Sequence, residues 1–414
     1  METPAEFTRC RADFPSLERR LGGRPLAFLD GPAGTQVPAR VIEAIASYYR
    51  TSNANTHGQF VTTAETDRLI QETREASAAF LGAPRGGTIS FGQNMTTLAF
   101  SIARAVARVF EAGDEVVITE LDHEANRGPW LALRESGVLV REVRLRPDGR
   151  LDEDEFRRMV GPRTRLVALG GASNALGTVN DLALARSLSR SVGAWLLVDA
   201  VHYAPHFPID VAGLDPDFLL CSAYKFYGPH LGLLYCRPGL LERLPVDRLR
   251  TQEPTAPDRI ETGTLNHAAL AGVKAAIEYV ASWGRGEGLR ERVVAAMERI
   301  EAHERMLAAS YHDRVGRLAG VRVWGPDFST PRRAPTVSIT IEGVTPAAAA
   351  RRLGELGVLV WDGDFYAARP VEALGLAERG GLLRMGVSMY NTADEIDRLV
   401  AGVAEIADGA RARP

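Results

Sequence analysis

Trp195-Leu-Leu-Val-Asp199 is an uninterrupted apolar run closed by a carboxylate, and Phe218-Leu-Leu-Cys-Ser-Ala-Tyr-Lys225 repeats the pattern and ends on a lysine. Runs of this length without polar alternation read as strands buried on both faces, the habit of parallel sheets covered by helices. Working outward, further strands are expected at Thr88–Phe91, Glu115–Thr119, Leu139–Leu145, Leu166–Gly170 and Gly232–Cys236. Helical periodicity falls between them, at Pro38–Tyr49, Thr63–Leu81, Thr96–Val109, Gly128–Ser136 and Leu182–Val192. Alternation of this kind implies an α/β fold with a large, doubly wound, mostly parallel sheet. Ligands bind such sheets outside the carboxyl ends of the strands, so the residues that close the runs are the ones to inspect.

The pattern changes after about Trp283. A long helix (Leu289–Ser310), a strand (Thr336–Ile341), a helix (Pro346–Leu356), short strands near Val358–Trp361 and Leu382–Val387 and a last helix (Thr392–Ile406) predict a smaller α/β unit. The expected division is residues 26–282 for the large domain and 283–414 for the small one, with residues 1–25 packing on the small one.

The 414 residues are 45% hydrophobic and 24% charged with a net charge of -3, enough for a large core and without the basic field of a nucleic-acid binder. No apolar run reaches membrane-spanning length, and Met1–Arg20 lacks the apolar centre of a signal peptide. The three cysteines, Cys10, Cys221 and Cys236, fit neither a disulfide framework nor a zinc site, so no metal is expected and a reducing cytoplasm is the expected compartment.

Of the 49 Lys and Arg residues only two are lysines, Lys225 and Lys274. Arg supplies charge and forked hydrogen bonds, but Lys alone forms a Schiff base or moves a proton readily. Lys225 follows a strand and is flanked by Ser222, Tyr224 and Tyr227, whereas Lys274 lies in an Ala-rich helical stretch and reads as a surface residue. Asp199, 26 residues before Lys225, can cap a helix or pair with a pyridinium nitrogen. Gly92-Gln-Asn-Met-Thr-Thr97 is a strand–turn–helix junction, which caps a helix or, through its free backbone N–H groups, suits a phosphate. His123 and His202 also follow strand runs, and Arg384 leads a short strand from which it could clamp a carboxylate. Ser222-Ala-Tyr-Lys225 matches S-x-x-K of the serine β-lactamases, but S-D-N and K-T-G are missing, and no G-x-G-x-x-G follows a strand.

Seven motifs occur in family order: Phe28-Leu-Asp30, Glu120-Leu-Asp-His-Glu-Ala-Asn126, Ser173-Asn-Ala-Leu-Gly-Thr178, Val198-Asp-Ala200, Ser222 to Pro229, Glu261-Thr-Gly-Thr264 and Arg384 to Asn391. Together they resemble the class V aminotransferase family of fold type I pyridoxal-5′-phosphate (PLP) enzymes, nearest the cysteine desulfurase and selenocysteine lyase branch, with isopenicillin N epimerase more distant. The resemblance implies a PLP-dependent enzyme acting on an amino acid, with Lys225 as the Schiff-base lysine that later moves protons at Cα. It implies Asp199 on the pyridinium nitrogen, His123 on the ring and His202 beside the phenolic oxygen, where relatives have Gln. Ser222 and the backbone at Asn94 (where many relatives have Thr) and Met95 would hold the phosphate. Asn174 and Arg384 would hold the substrate, and His57 matches an active-site-loop histidine. Thr264 would reach the neighbouring subunit's phosphate, which implies a homodimer.

One departure bears on the reaction. Desulfurases carry a mobile-loop cysteine that takes the sulfur as a persulfide, and Tyr366, in Val360-Trp-Asp-Gly-Asp-Phe-Tyr366, stands at its position. The leading expectation is therefore C–S lyase or β-elimination chemistry without an enzyme persulfide, with Tyr366 or Asp364 as proton donor. An epimerase or aminotransferase, or a non-catalytic cofactor-bearing binding protein, are the alternatives.

Overall fold

The fold is described from a computed structural model, which covers residues 3–412. Its strands in chain order are β1 (Ala27–Phe28), β2 (Ile89–Gly92), β3 (Glu115–Thr119), β4 (Leu139–Val143), β5 (Thr164–Gly170), β6 (Trp195–Asp199), β7 (Phe218–Ser222) and β8 (Gly232–Cys236), then β9 (Val321–Trp324), β10 (Thr336–Ile341), β11 (Val358–Leu359), β12 (Trp361–Gly363) and β13 (Leu382–Gly386). β2 to β8 form one seven-stranded sheet in the order β2-β8-β7-β6-β5-β3-β4. β8 runs antiparallel to both of its neighbours, and the other pairings are parallel.

Buried parallel strands must feed apolar side chains to both faces, and these do. Leu196, Val198, Leu219, Cys221 and Leu233 enter one core, while Leu197, Phe218, Leu220 and Leu234 enter the core on the opposite face. The alternation is the two-residue period of a strand. Each fully buried Leu or Val contributes about 1.5–3 kcal/mol, so the sheet is a rigid platform for whatever its ends carry.

Strand order reverses beside β3: the chain goes from β3 outward to β4, then back across to β5 and β6. A crevice opens at such a switch point, outside the strand ends. The loops leaving β3, β5, β6 and β7 there carry His123, Asn174, His202 and Lys225.

The C-terminal unit is a four-stranded sheet, β9-β10-β13-β12, covered by the helices Leu289–Val315, Pro346–Glu355 and Ala393–Arg411. Three expectations shift. The Val358–Trp361 segment is two strands in different sheets: β11 pairs with β1, and β12 pairs with β13. Through β1 and a bridge from Asp30 to Gly386, residues 27–30 join the C-terminal unit although the sequence places them in the larger one. Gly128–Ser136 is a four-residue helix and then a 3-10 turn that ends at Gly137 in the left-handed region. β9 is an added strand, half exposed at a sheet edge and too short for a clear period.

The N-terminal segment packs at the junction of the two units. Phe7 stacks on His303 (4.1 Å), and Phe14 meets Tyr390 of the C-terminal unit and Tyr227 and Tyr279 of the larger one. No helix among the described residues is long and apolar enough to cross a membrane.

Candidate active site

A cavity of ≈570 Å³ opens at the carboxyl ends of β3, β5, β6 and β7. Of the residues selected from the sequence, Asn94, Met95, His123, Asn174, Asp199, His202, Ser222 and Lys225 line it.

Lys225 lies in a 3-10 turn directly after β7. The loop 31–35 closes over it: Lys225 Nζ donates to the Pro32 carbonyl, Thr35 N to Tyr224 O (3.0 Å), and Tyr227 N to Thr35 Oγ1 (2.8 Å). Burial, reinforced by the Arg384 guanidinium, pushes the lysine pKa down to about 7, against the pull of Asp199 and Asp30. A neutral amine at neutral pH is a nucleophile. Lys274 behaves as its helix predicts, paired with Glu278 (2.8 Å) and Glu72 (3.5 Å).

Asp199 closes β6 and is buried. Among the described residues, the only hydrogen bond to its carboxylate is from Val201 N (2.9 Å), and no Lys, Arg or His lies within ion-pair distance of it. Burial therefore raises its pKa to about 7. A buried carboxylate without a cation is costly and is relieved by a ligand that brings a positive or N–H group. Asp122, quoted in a motif but not selected, fixes the neighbouring wall. Its carboxylate accepts from Thr119 N (3.0 Å), Thr119 Oγ1 (2.8 Å) and Gly170 N, which ties the end of β3 to the end of β5.

His123 Nδ1 accepts the Ala125 N–H (3.0 Å), so the neutral ring carries its proton on Nε2. Burial and the nearby Lys225 and Arg384 charges lower its pKa to about 4. His202 is also held neutral, mainly by burial; its Nε2 lies 2.8 Å from Thr336 Oγ1, and its buried Nδ1 has no partner.

At the far end, the helix Met95–Val106 points its N-terminus into the cavity. The Asn94 side chain caps it by accepting from Thr97 N (2.9 Å), and Met95 N donates to Ser222 Oγ (3.1 Å). Gly232 is needed here, since a Cβ would stand 2.4 Å from the Asn94 carbonyl carbon. Tyr224 and His230, stacked at 4.8 Å, also line the cavity and were not selected. Their only signal was proximity to Lys225 in sequence.

Arg384 is buried on β13 and has no carboxylate within 4 Å among the described residues; its Nη1 donates to Asn174 O (3.0 Å), and its Nε is unpartnered. Arg333, equally buried, instead donates to the carbonyls of Pro326, Ala334, Thr336 and Leu176. Arg333 is thus satisfied by the fold, whereas Arg384, which is not in the cavity lining, leaves its buried Nε without a partner.

Tyr366 and His57 are not placed as expected, and Asn174 is partly engaged by the protein. The Asn174 amide spends one N–H on Phe365 O (3.0 Å), leaving its second N–H and Oδ1 at the cavity it lines. Tyr366 is 75% exposed and lies outside the cavity lining, its ring 5.9 Å from His123. His57 and Thr264 are brought together, but in a second depression that also holds Asn55, Asp67 and Arg74, apart from the Lys225 cavity of the same chain.

Comparison with known proteins places this geometry among relatives. The aminotransferase class-V family profile matches residues 27–399. The chain is 33% identical over 416 residues to a "Probable cysteine desulfurase" of Mycolicibacterium paratuberculosis, covering 96% of this chain but spanning only 58% of that protein's length. It is 32% identical over 422 residues to a "Cysteine desulfurase" of Salmonella gallinarum, covering 98% of this chain and 99% of that one. The apo cysteine desulfurase structure from Thermococcus onnurineus superposes with a TM-score of 0.87 at 26% identity, covering 99% of each chain.

Proposed function

The chain belongs to the class-V aminotransferase family of PLP-dependent enzymes, and from that premise we infer that it is a C–S lyase acting on a sulfur-bearing amino acid without a protein persulfide. The observation that carries the second half is the state of the thiols. Cys10, Cys221 and Cys236 are all buried, none lines the Lys225 cavity, and burial pushes each thiol pKa up, to about 12 at Cys10 and higher in the strands. A buried, protonated thiol is a poor nucleophile.

The residues present fit PLP. Lys225 offers a neutral amine for the covalent link, Asp199 lacks the cation that a ring nitrogen would supply, and a phosphate at the helix N-terminus would take over the N–H groups of Met95 and Asn94 that Ser222 Oγ and Thr97 Oγ1 accept in its absence. His202, with an unpartnered Nδ1, would face the phenolic oxygen, and His123 the ring. Bound there, PLP supplies an electron-withdrawing ring that stabilises negative charge at Cα. Lys225 would move the proton at Cα, Arg384 would hold the substrate carboxylate, and Asp199 would place its charge close to the ring nitrogen. Tyr366, whose ring lies 5.9 Å from His123, and Asp364 are both exposed and outside the cavity lining, and are the candidate donors to a leaving sulfur.

A homodimer completes the reading. His57 and Thr264 line one depression with the exposed Leu249, and Thr264 lines an adjoining one with the exposed Tyr49, large apolar side chains that a second copy would cover. From that face, Thr264 would serve the partner's phosphate.

The test is to give L-cysteine to the PLP-loaded protein and follow cofactor absorbance, released sulfide and intact protein mass together. Catalytic sulfide release from protein of unchanged mass is expected. A persulfide on any of the three cysteines would refute the route, and a shifted absorbance without sulfide would transfer the assignment to epimerase or aminotransferase chemistry.

A further inference from the structure

The geometry points to Phe365 as the residue that positions Arg384 and thereby sets the enzyme's preference for carboxylate-bearing substrates. The inference rests on the reading that Arg384 receives the substrate carboxylate.

A guanidinium can be held at its edges and on its faces. Arg384 uses one edge, through Nη1, on the Asn174 carbonyl. The Phe365 ring covers a face, with its centroid 4.0 Å from Cζ. What remains is the Nε–Nη2 edge, and Nε is the buried donor without a partner. This is the edge that takes a carboxylate in two parallel hydrogen bonds. An aromatic face attracts the cation through its quadrupole and fixes the plane of the fork without consuming a donor. A carboxylate in place of Phe365 would have neutralised Arg384 and competed with the substrate.

The loop is built to put the ring there. Phe365 and Tyr366 both hold positive φ (60° and 57°), the left-handed region that side-chain-bearing residues avoid. Such strain persists only where surrounding contacts impose it. Those contacts are present: Asn174 Nδ2 donates to Phe365 O (3.0 Å), Glu124 N to Tyr366 O (2.7 Å), and Tyr366 N to Asp364 Oδ1 (2.9 Å). Arg369, just beyond, is held by Glu120 (2.6 Å) and Glu142 (2.9 Å). Asn174 therefore holds Arg384 with its backbone and Phe365 with its side chain, so the ring and the fork are set against each other by one residue.

The test compares holoenzyme carrying Phe365, Phe365→Tyr or Phe365→Leu. The probes are L-alanine and ethylamine, which share an amine and a methyl group and differ by the carboxylate. Dissociation constants are read from the change in cofactor absorbance, so no turnover is needed. Wild type is expected to prefer L-alanine. Phe365→Leu should reduce that preference about tenfold, the scale of a desolvated cation–π contact, by weakening L-alanine alone. Phe365→Tyr, which keeps the aromatic face, should restore it. An unchanged preference in Phe365→Leu, or equal weakening of both probes, overturns the inference and leaves the PLP assignment standing. A wild-type protein that shows no bound-cofactor absorbance after loading with PLP would sink the PLP assignment itself, and wild-type binding without a carboxylate preference would remove Arg384 from its role.

Discussion

Replacing Lys225 by Met should change how the stability of the cofactor-free protein depends on pH. The buried ammonium is disfavoured, first by desolvation and then by Arg384, so its pKa falls from 10.5 to about 7 in the folded chain. At about 1.36 kcal/mol per pH unit, that gap is about 5 kcal/mol. The sign follows from proton counts. Between the two values the unfolded chain binds the proton and the folded chain does not, so stability rises with pH. The destabilisation is complete below pH 7 and absent above 10.5. Methionine keeps most of the volume and cannot titrate. Urea unfolding of both proteins from pH 7.5 to 10 avoids Asp199 and Asp30, whose raised pKa values are about 7 and 6. Over that window wild type should gain about 3 kcal/mol relative to Lys225→Met. A pH-independent difference would mean that the folded lysine titrates near its ordinary value, and the argument for a neutral nucleophile would fail.

Asp199→Asn should lose cofactor on dialysis and lower kcat by about 10²-fold or more, because a buried cation would be left without its carboxylate; cofactor content and steady-state rates measure both. Arg384→Lys should raise KM for an amino acid about tenfold through loss of the two-pronged contact. Arg333→Lys should instead lower the melting temperature and leave KM alone, since that guanidinium serves only backbone carbonyls. Tyr366→Phe should slow sulfide release about 10²-fold with unchanged cofactor absorbance if the hydroxyl is the proton donor; full activity would remove Tyr366 from the mechanism.

The strand ends were legible because their chemistry is local. Asp199, Ser222 and Lys225 each close or directly follow an apolar run, and the structure puts all three on one cavity. The cap at Asn94 was legible for the same reason, as a strand–turn–helix junction. Asp122 was overlooked because an Asp after a strand carries no mark of what it binds; its role appears only when β5 is laid beside β3 and Gly170 N meets its carboxylate. Asn174 was selected, but nothing local announces that one N–H of its amide serves a residue 191 positions away.

The sequence by itself determined the α/β class, the sheet whose strand ends line the cavity, and Lys225 as the candidate reactive amine, because period, run length and the rarity of lysine are properties of the chain alone. Tertiary structure decided which arginine is free and what the 361–366 loop does. Arg333 and Arg384 are equivalent as letters, and both are buried. Only the fold supplies carbonyls to one and an aromatic face with an open edge to the other. Whether a buried charge is structural or functional depends on the partners that distant segments bring to it, and pairings across such separations leave no periodic trace in the sequence.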